Sequence, residues 1–291
     1  MAWLFTSAMN PATSMTAIAR DTTVRSVEST NNSDASVLPV AARATLDLFA
    51  SVCDRAAEVV RANTNWSASG LRSGQYAIDL DVDDVCVQPL HGAGFDVLSE
   101  ESGLQQQGEE LGRDVVVVDP LDGSSNASLG LPWCATAMCL VSDGVPTVAM
   151  VSNLATGDRY TAVRGCGAEQ NGRTILVGPQ SSLSESIIAV NGLPPEHWGW
   201  QQYRALGAAA LDIAAVARGG FGGYVDTTKD SHGVWDYLAS VLILEEAGGC
   251  AVDALGRNLT VLNHLERRTP VAASSESLLS ELIAARMRED L

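Results

Sequence analysis

Apolar residues recur at helical spacing from Ala41 to Ala62, where Leu46, Phe49, Val52, Cys53, Ala56, Val59 and Val60 are separated by Arg and Asp. That spacing predicts a long amphipathic helix. Residues 1–38 are instead rich in Ser, Thr, Asn and Ala and read as a mobile tail. Trp66 to Gly74 reads as a loop, Tyr76 to Val82 alternates like a strand, and Val85 to His91 suits a short helix. Val97-Leu98 and Val115 to Val118 are short apolar runs that predict buried strands, with a polar hairpin or loop between them. Cys134 to Val141 and Val145 to Asn153 predict two strands joined at Ser142-Asp143-Gly144, and Asn171-Gly172-Arg173 marks a further hairpin after Thr161 to Val163. Ser186 to Val190, Gly222 to Val225 and Cys250 to Val252 predict strands of a second half. Helices are predicted over Leu206 to Arg218, Trp235 to Ala247 and Ser277 to Asp290, the first two stopped by Gly-Gly pairs. Strands and helices mix without strict βαβ alternation and without internal repeats, which favours stacked layers of sheets and helices over a barrel.

Composition narrows the function. The chain has 291 residues, 46% of them hydrophobic, enough for a sizeable core in one large domain or two ordinary ones. It carries 35 acids against 18 bases, a net charge of −17. Such a surface repels nucleic acid and anionic membrane, so neither is expected as a partner. No stretch is apolar for long enough to span a bilayer, and Met1 to Met9 lacks the basic start of a signal peptide, so a cytoplasmic protein is expected. The six cysteines include no Cys-x-x-Cys pair, which argues against a zinc site and for reduced thiols. His91, His197, His232 and His264 are scattered, and His232 reads as an ordinary loop residue near the Trp235-Asp236 pair. Lys229 is the only lysine and reads as a solvated loop residue. There is no Gly-x-Ser-x-Gly elbow and no Gly-Lys-Ser/Thr phosphate loop.

The chemistry concentrates at Asp119-Pro120-Leu121-Asp122-Gly123-Ser124-Ser125-Asn126, directly after the apolar run Val115 to Val118. Two acids at the end of a buried strand call for a cation, and magnesium prefers carboxylate and carbonyl oxygens and binds phosphate. The glycine turn and hydroxyls add backbone N–H donors suited to an anion. An acidic turn without a ligand is the competing reading of this run alone. Two further acidic sites stand out: Glu100-Glu101 after an apolar strand, and Asp236 opening a helix, where an acid is ordinarily a cap.

Together these elements resemble the inositol monophosphatase superfamily of metal-dependent phosphatases. The matching segments are Ser99-Glu100-Glu101-Ser102, Asp119 to Asn126, and Trp235-Asp236-Tyr237-Leu238-Ala239 with Glu246-Ala247-Gly248-Gly249. Weaker matches lie at Gly165-Cys166-Gly167-Ala168 and Gly207 to Asp212. The resemblance implies an αβαβα sandwich, with a first part over 39–184 and a second over 185–291, and a homodimer. It implies that Glu100, Asp119 and the Leu121 carbonyl hold one Mg²⁺ and that Asp119, Asp122 and Asp236 hold another. Asp83 matches an acid expected to bind a third ion through water, with Asp79, Asp81 and Asp84 close enough in sequence to take that part. It further implies hydrolysis of a small phosphorylated metabolite by metal-activated water, which Glu100 and Ser124 orient, and sensitivity to lithium. Gly123, Ser124, Ala208, Ala209 and Asp226 are the implied substrate contacts. A lysine common in the family ahead of the Asp79-Leu80 segment is missing, and Arg72 is the only base in that region. Inositol 1-phosphate is the expected substrate; histidinol phosphate, a 3′-phosphonucleotide or fructose bisphosphate are alternatives, and a non-catalytic regulatory binding protein is the alternative from a different class.

Overall fold

The computed structural model describes residues 38–72, 74–179 and 181–288. The predicted tail over 1–38 therefore lies outside the described residues, Leu38 excepted. In chain order the elements are helices α1 (Val40–Ala62) and α2 (Ala77–Gly92), strands β1 (Asp96–Ser99), β2 (Gly103–Gln105) and β3 (Asp114–Asp122), the short helix α3 (Ser124–Ser128), and strands β4 (Ala135–Ser142), β5 (Val145–Asn153), β6 (Arg159–Val163), β7 (Gly167–Gln170) and β8 (Arg173–Ile175). Then follow β9 (Ile187–Asn191), β10 (Gln202–Arg204), helix α4 (Ala209–Ala217), β11 (Gly223–Asp226), helix α5 (Val234–Glu246), β12 (Cys250–Asp253), β13 (Pro270–Ala273) and helix α6 (Glu276–Met287).

Two sheets result. The larger has eight strands in the order β2-β1-β3-β4-β5-β6-β7-β8, and the smaller has five in the order β10-β9-β11-β13-β12. In the larger sheet only β1 and β3 run parallel. Side chains alternate across a strand, and β3 shows the consequence. Val116 and Val118 join the core under α1 and α2 with Phe49, Val52, Val82 and Leu90. Val115 and Val117 face the opposite core with α4 and α5 residues such as Leu211, Ile213, Leu238 and Leu242. The smaller sheet covers the far side of α4 and α5 through Tyr224 and Ala272. Its other face packs Ile188, Val225 and Val271 against Leu278 and Leu282 of α6. The described residues thus form a five-layer αβαβα sandwich, as expected.

One predicted element is corrected. Tyr76 to Val82 is not a strand; it opens α2, which continues through the predicted short helix to Gly92. The false period came from Asp79, Asp81 and Asp83 alternating with Leu80 and Val82. Asp79 and Asp83 are in fact buried, with Ile78, Val82, Cys86 and Leu90, so once the acids count as inward-facing the spacing is helical. Asp79 also accepts from the Tyr76 amide at 2.8 Å, which closes the first turn.

Candidate active site

Strand β3 delivers Asp119 at its buried end, 1% exposed. Its bulge at Asp119/Asp122 breaks the pairing with β4 and turns Asp122 towards α4, where the Ala210 amide donates to Asp122 Oδ2 at 2.8 Å. Gly123 follows in the left-handed region, φ 81°, and α3 begins immediately after it. No other residue fits at 123: a Cβ there would stand 2.8 Å from the Trp133 carbonyl and 3.1 Å from Ala208 Cβ. Gly123→Ala is expected to cost about 1–3 kcal/mol of stability in denaturant unfolding, with loss of the turn that aims Ser124.

Glu100 sits in the turn after β1, and Asp236 in the first turn of α5. One carboxylate oxygen from each of Glu100, Asp119 and Asp236 lies within 4.8 Å of the others. All three, with Leu121, Asp122, Gly123, Ser124, Ala208 and Ala209, line one cavity of about 240 Å³. An adjoining cavity of about 190 Å³ shares Glu100, Leu121 and Ser124 and is lined by Arg72, Gln75, Asp79 and Glu101. A larger cavity of about 300 Å³ lies beside α5, but Arg164 and Arg257 there are held in ion pairs with Glu245 and Asp253.

Electrostatics at the acid cluster are unfavourable as they stand. Burial pushes the Asp119 carboxyl well up, and Glu100, Asp122 and Asp236 push it further. Glu100 and Asp122 are likewise raised well above the ordinary carboxylate range, first by burial and then by Asp236. Compensation by bases is partial. Arg72 lies 3.2 Å from Glu100 and 2.6 Å from Glu101, and His232 Nδ1 lies 3.0 Å from Asp236 Oδ2. A half-buried, mutually repelling set of oxygen donors around the buried Asp119 fits a hard divalent cation, because such an ion removes the repulsion that the protein leaves in place.

The other predicted residues fall as follows. Glu101 turns away to Arg72 and Gln75, leaving Glu100 as the cluster's glutamate. Asp83 is buried behind the Glu100 turn, hydrogen-bonded by Ser99, and lines neither cavity; Asp79, pushed up to about 6 chiefly by burial, lines the second one. Asp226 is fully buried. Its oxygens accept from Asn191 Nδ2 (3.0 Å), the Thr228 amide (2.9 Å) and Ser231 Oγ (2.7 Å), and it does not line the cavity, whereas Asn191 does.

Asp212 and His232 are among the cavity residues to which the sequence assigns no role. Asp212, in the first turn of α4, is raised to about 7, mainly by burial, and accepts from Trp133 Nε1 at 2.9 Å. His232 is buried and lines the cavity. Because the Asp236 carboxylate only accepts, His232 Nδ1 donates to it, and Nε2 shares a hydrogen bond with Tyr224 Oη at 2.6 Å. Its spacing of four from Asp236 was the available signal, visible only once 232 is known to precede the helix start.

Fold and site together define a layered-sandwich phosphatase with an acidic centre suited to metal. Residues 75–290 match the family described as the inositol monophosphatase family. A fructose-1,6-bisphosphatase/inositol-1-monophosphatase of Methanothermobacter thermautotrophicus is 33% identical over 227 residues, covering 71% of this chain and 80% of that one. A Nus factor SuhB of Xylella fastidiosa is 33% identical over 199 residues, covering 62% of this chain and 70% of its own. The solved inositol monophosphatase of Anabaena superposes with a TM-score of 0.69 at 26% identity, over 84% of this chain and 96% of that one. The chain belongs to the inositol monophosphatase family, and it is a phosphatase of that family.

Proposed function

We propose that the protein is a Mg²⁺-dependent phosphomonoesterase acting on a small polyol or sugar-like phosphate, with inositol 1-phosphate foremost. The observation that carries this reading is the convergence of Glu100, Asp119 and Asp236, from three distant segments, beside the Gly123 turn. Glu100, Asp119 and the Leu121 carbonyl would hold one ion, and Asp119, Asp122 and Asp236 a second. Bound divalent ions supply the positive charge that a phosphate dianion, its leaving oxygen and a water nucleophile need. Glu100 and the Ser124 hydroxyl orient the attacking water, with Glu100 taking its proton. Backbone N–H groups of Gly123 and Ser124 hold phosphate oxygens. The main chain at Ala208 and Ala209 meets the rest of the substrate, and Asp226 acts on it indirectly by fixing Asn191. Arg72 stands in for the family lysine. The 240 Å³ cavity suits a small metabolite. A cytoplasmic homodimer, lithium sensitivity, an outer ion near Asp79 or Asp83, and a first part over 39–184 completed by a second over 185–291 belong to the same reading.

Phosphate release from a panel of sugar, polyol, histidinol and nucleotide 3′-phosphates, with Mg²⁺ and with chelator, tests it. Turnover of at least one ester that vanishes with chelator is expected. Silence across the panel with Mg²⁺ present would favour the non-catalytic alternative, binding without turnover, which the Nus-factor designation of the Xylella relative brings into view.

A further inference from the structure

The segment 254–269 between β12 and β13 joins two edges of the acid cluster through one side chain, His264. The segment is itself well anchored. The main chain of Arg268 pairs with that of His232 in both directions, at 2.8 and 3.2 Å. Tyr237 Oη donates to the Leu259 carbonyl at 2.7 Å, and Arg257 pairs with Asp253 and Asp230. From this frame His264 reaches Glu100: its Nε2 lies 3.0 Å from the Glu100 carbonyl. A carbonyl only accepts, so Nε2 carries the hydrogen. The Glu100 amide meanwhile donates to the Val118 carbonyl at 3.2 Å, so both main-chain groups of Glu100 are tied.

The same imidazole stacks on Trp235, with ring centroids 4.8 Å apart and planes 30° from parallel. The Arg267 guanidinium lies 5.0 Å from that indole centroid. Gly233 lies close against the indole as well, since a Cβ there would overlap the ring. Trp235 is therefore held on several sides, and the next residue is Asp236. Glu100 and Asp236 share no sheet and lie far apart in the chain; His264 contacts the first directly and the second through its neighbour.

We propose that His264 is a positioning residue that sets Glu100 against Asp236 at the spacing a divalent cation needs. This rests on the functional reading above. Residues that orient metal ligands typically carry a 10–100-fold effect on metal affinity when removed. The test compares two variants that both fill the space beside Trp235. His264→Gln keeps an N–H donor for the Glu100 carbonyl, and His264→Leu has none. Mg²⁺ is titrated calorimetrically into the metal-stripped, full-length proteins. The expected result is an affinity about 10-fold or more weaker for His264→Leu and within about threefold of the parent for His264→Gln. Melting temperatures of the two stripped variants should agree within a few degrees, so that a difference in affinity is not a difference in folding. Equal Mg²⁺ affinity in the two variants, with the parent binding, overturns this inference alone. A parent that binds no Mg²⁺ overturns the functional reading and this inference with it.

Discussion

Replacing Asp119 by Asn is expected to lower kcat/KM on the order of 10³-fold or more while raising the melting temperature of the metal-free protein. The two effects have one origin. Asp119 is 1% exposed at the end of β3, and its carboxyl faces Glu100, Asp122 and Asp236. With metal, that charge is the one both proposed ions share, so its removal weakens the whole centre. Without metal, the same charge is a buried anion among anions, and its removal relieves repulsion at almost no change in volume. The substituted carboxamide retains one oxygen, which can still accept from the Leu121 amide as Asp119 Oδ1 does at 3.1 Å, so the turn survives. Each kcal/mol relieved shifts Tm by roughly 2–4 °C in a chain of this size. Activity assays with melting curves in chelator read both effects. Turnover within about tenfold of the parent would show that Asp119 does not hold the catalytic centre.

The sequence displayed the acid centre clearly because its chemistry is local to short runs. Asp119 to Asn126 combines an apolar strand, two acids and a glycine turn, and each feature has its own physical cause in the structure: burial, repulsion, and the left-handed Gly123. The Glu100 turn and the Trp235-Asp236 helix are less specific by themselves, since an acid at a helix start is ordinarily a cap and a pair of acids in a turn is ordinarily solvated, and they gain meaning only from the resemblance that all three runs carry together. What escaped was set by tertiary contact. Asp79 and Asp83 imitated a strand because polar residues are assumed to face water, whereas here they face inward. Asp226 stands shortly before the helix that carries Asp236, and its enclosure by Asn191, Thr228 and Ser231 has no mark in the sequence. His232 and His264 lie in loops, with no period to mark them, and acquire their contacts only when the long segment before β13 folds back over β1 and α5. Loops place side chains by anchors at their ends, and those anchors are read from the fold alone.

Metal and pH are expected to act on stability in opposite directions. Carboxyls raised on folding bind more protons in the native state than in the unfolded chain at any pH between the two values, so native stability is greatest below the unfolded pKa, near 4, and falls as pH rises through the folded one. Asp79 is raised to about 6 and Asp212 to about 7, both mainly by burial, and Glu100, Asp119 and Asp122 are raised well above the ordinary range. His232 adds to the same slope: burial lowers its pKa, but the hydrogen bond to Asp236 and the surrounding acids outweigh burial and raise it. Chelated protein should therefore melt at progressively lower temperature from about pH 5.5 to about pH 8. Mg²⁺ binds the ionised carboxylates, so its stabilisation grows over the same interval, by about 2.7 kcal/mol once its concentration reaches about 100 times Kd. The two melting curves diverge as pH rises, and the gap between them measures the acid centre. General repulsion from a net charge of −17 also favours acid stability. Asp119→Asn separates the two sources: it leaves the surface charge nearly intact, and it should flatten the chelated slope and close most of the Mg²⁺ gap. A parent whose chelated melting temperature stays level or climbs between about pH 5.5 and about pH 8 would mean that these carboxyls are not held apart from their usual ionisation by the fold.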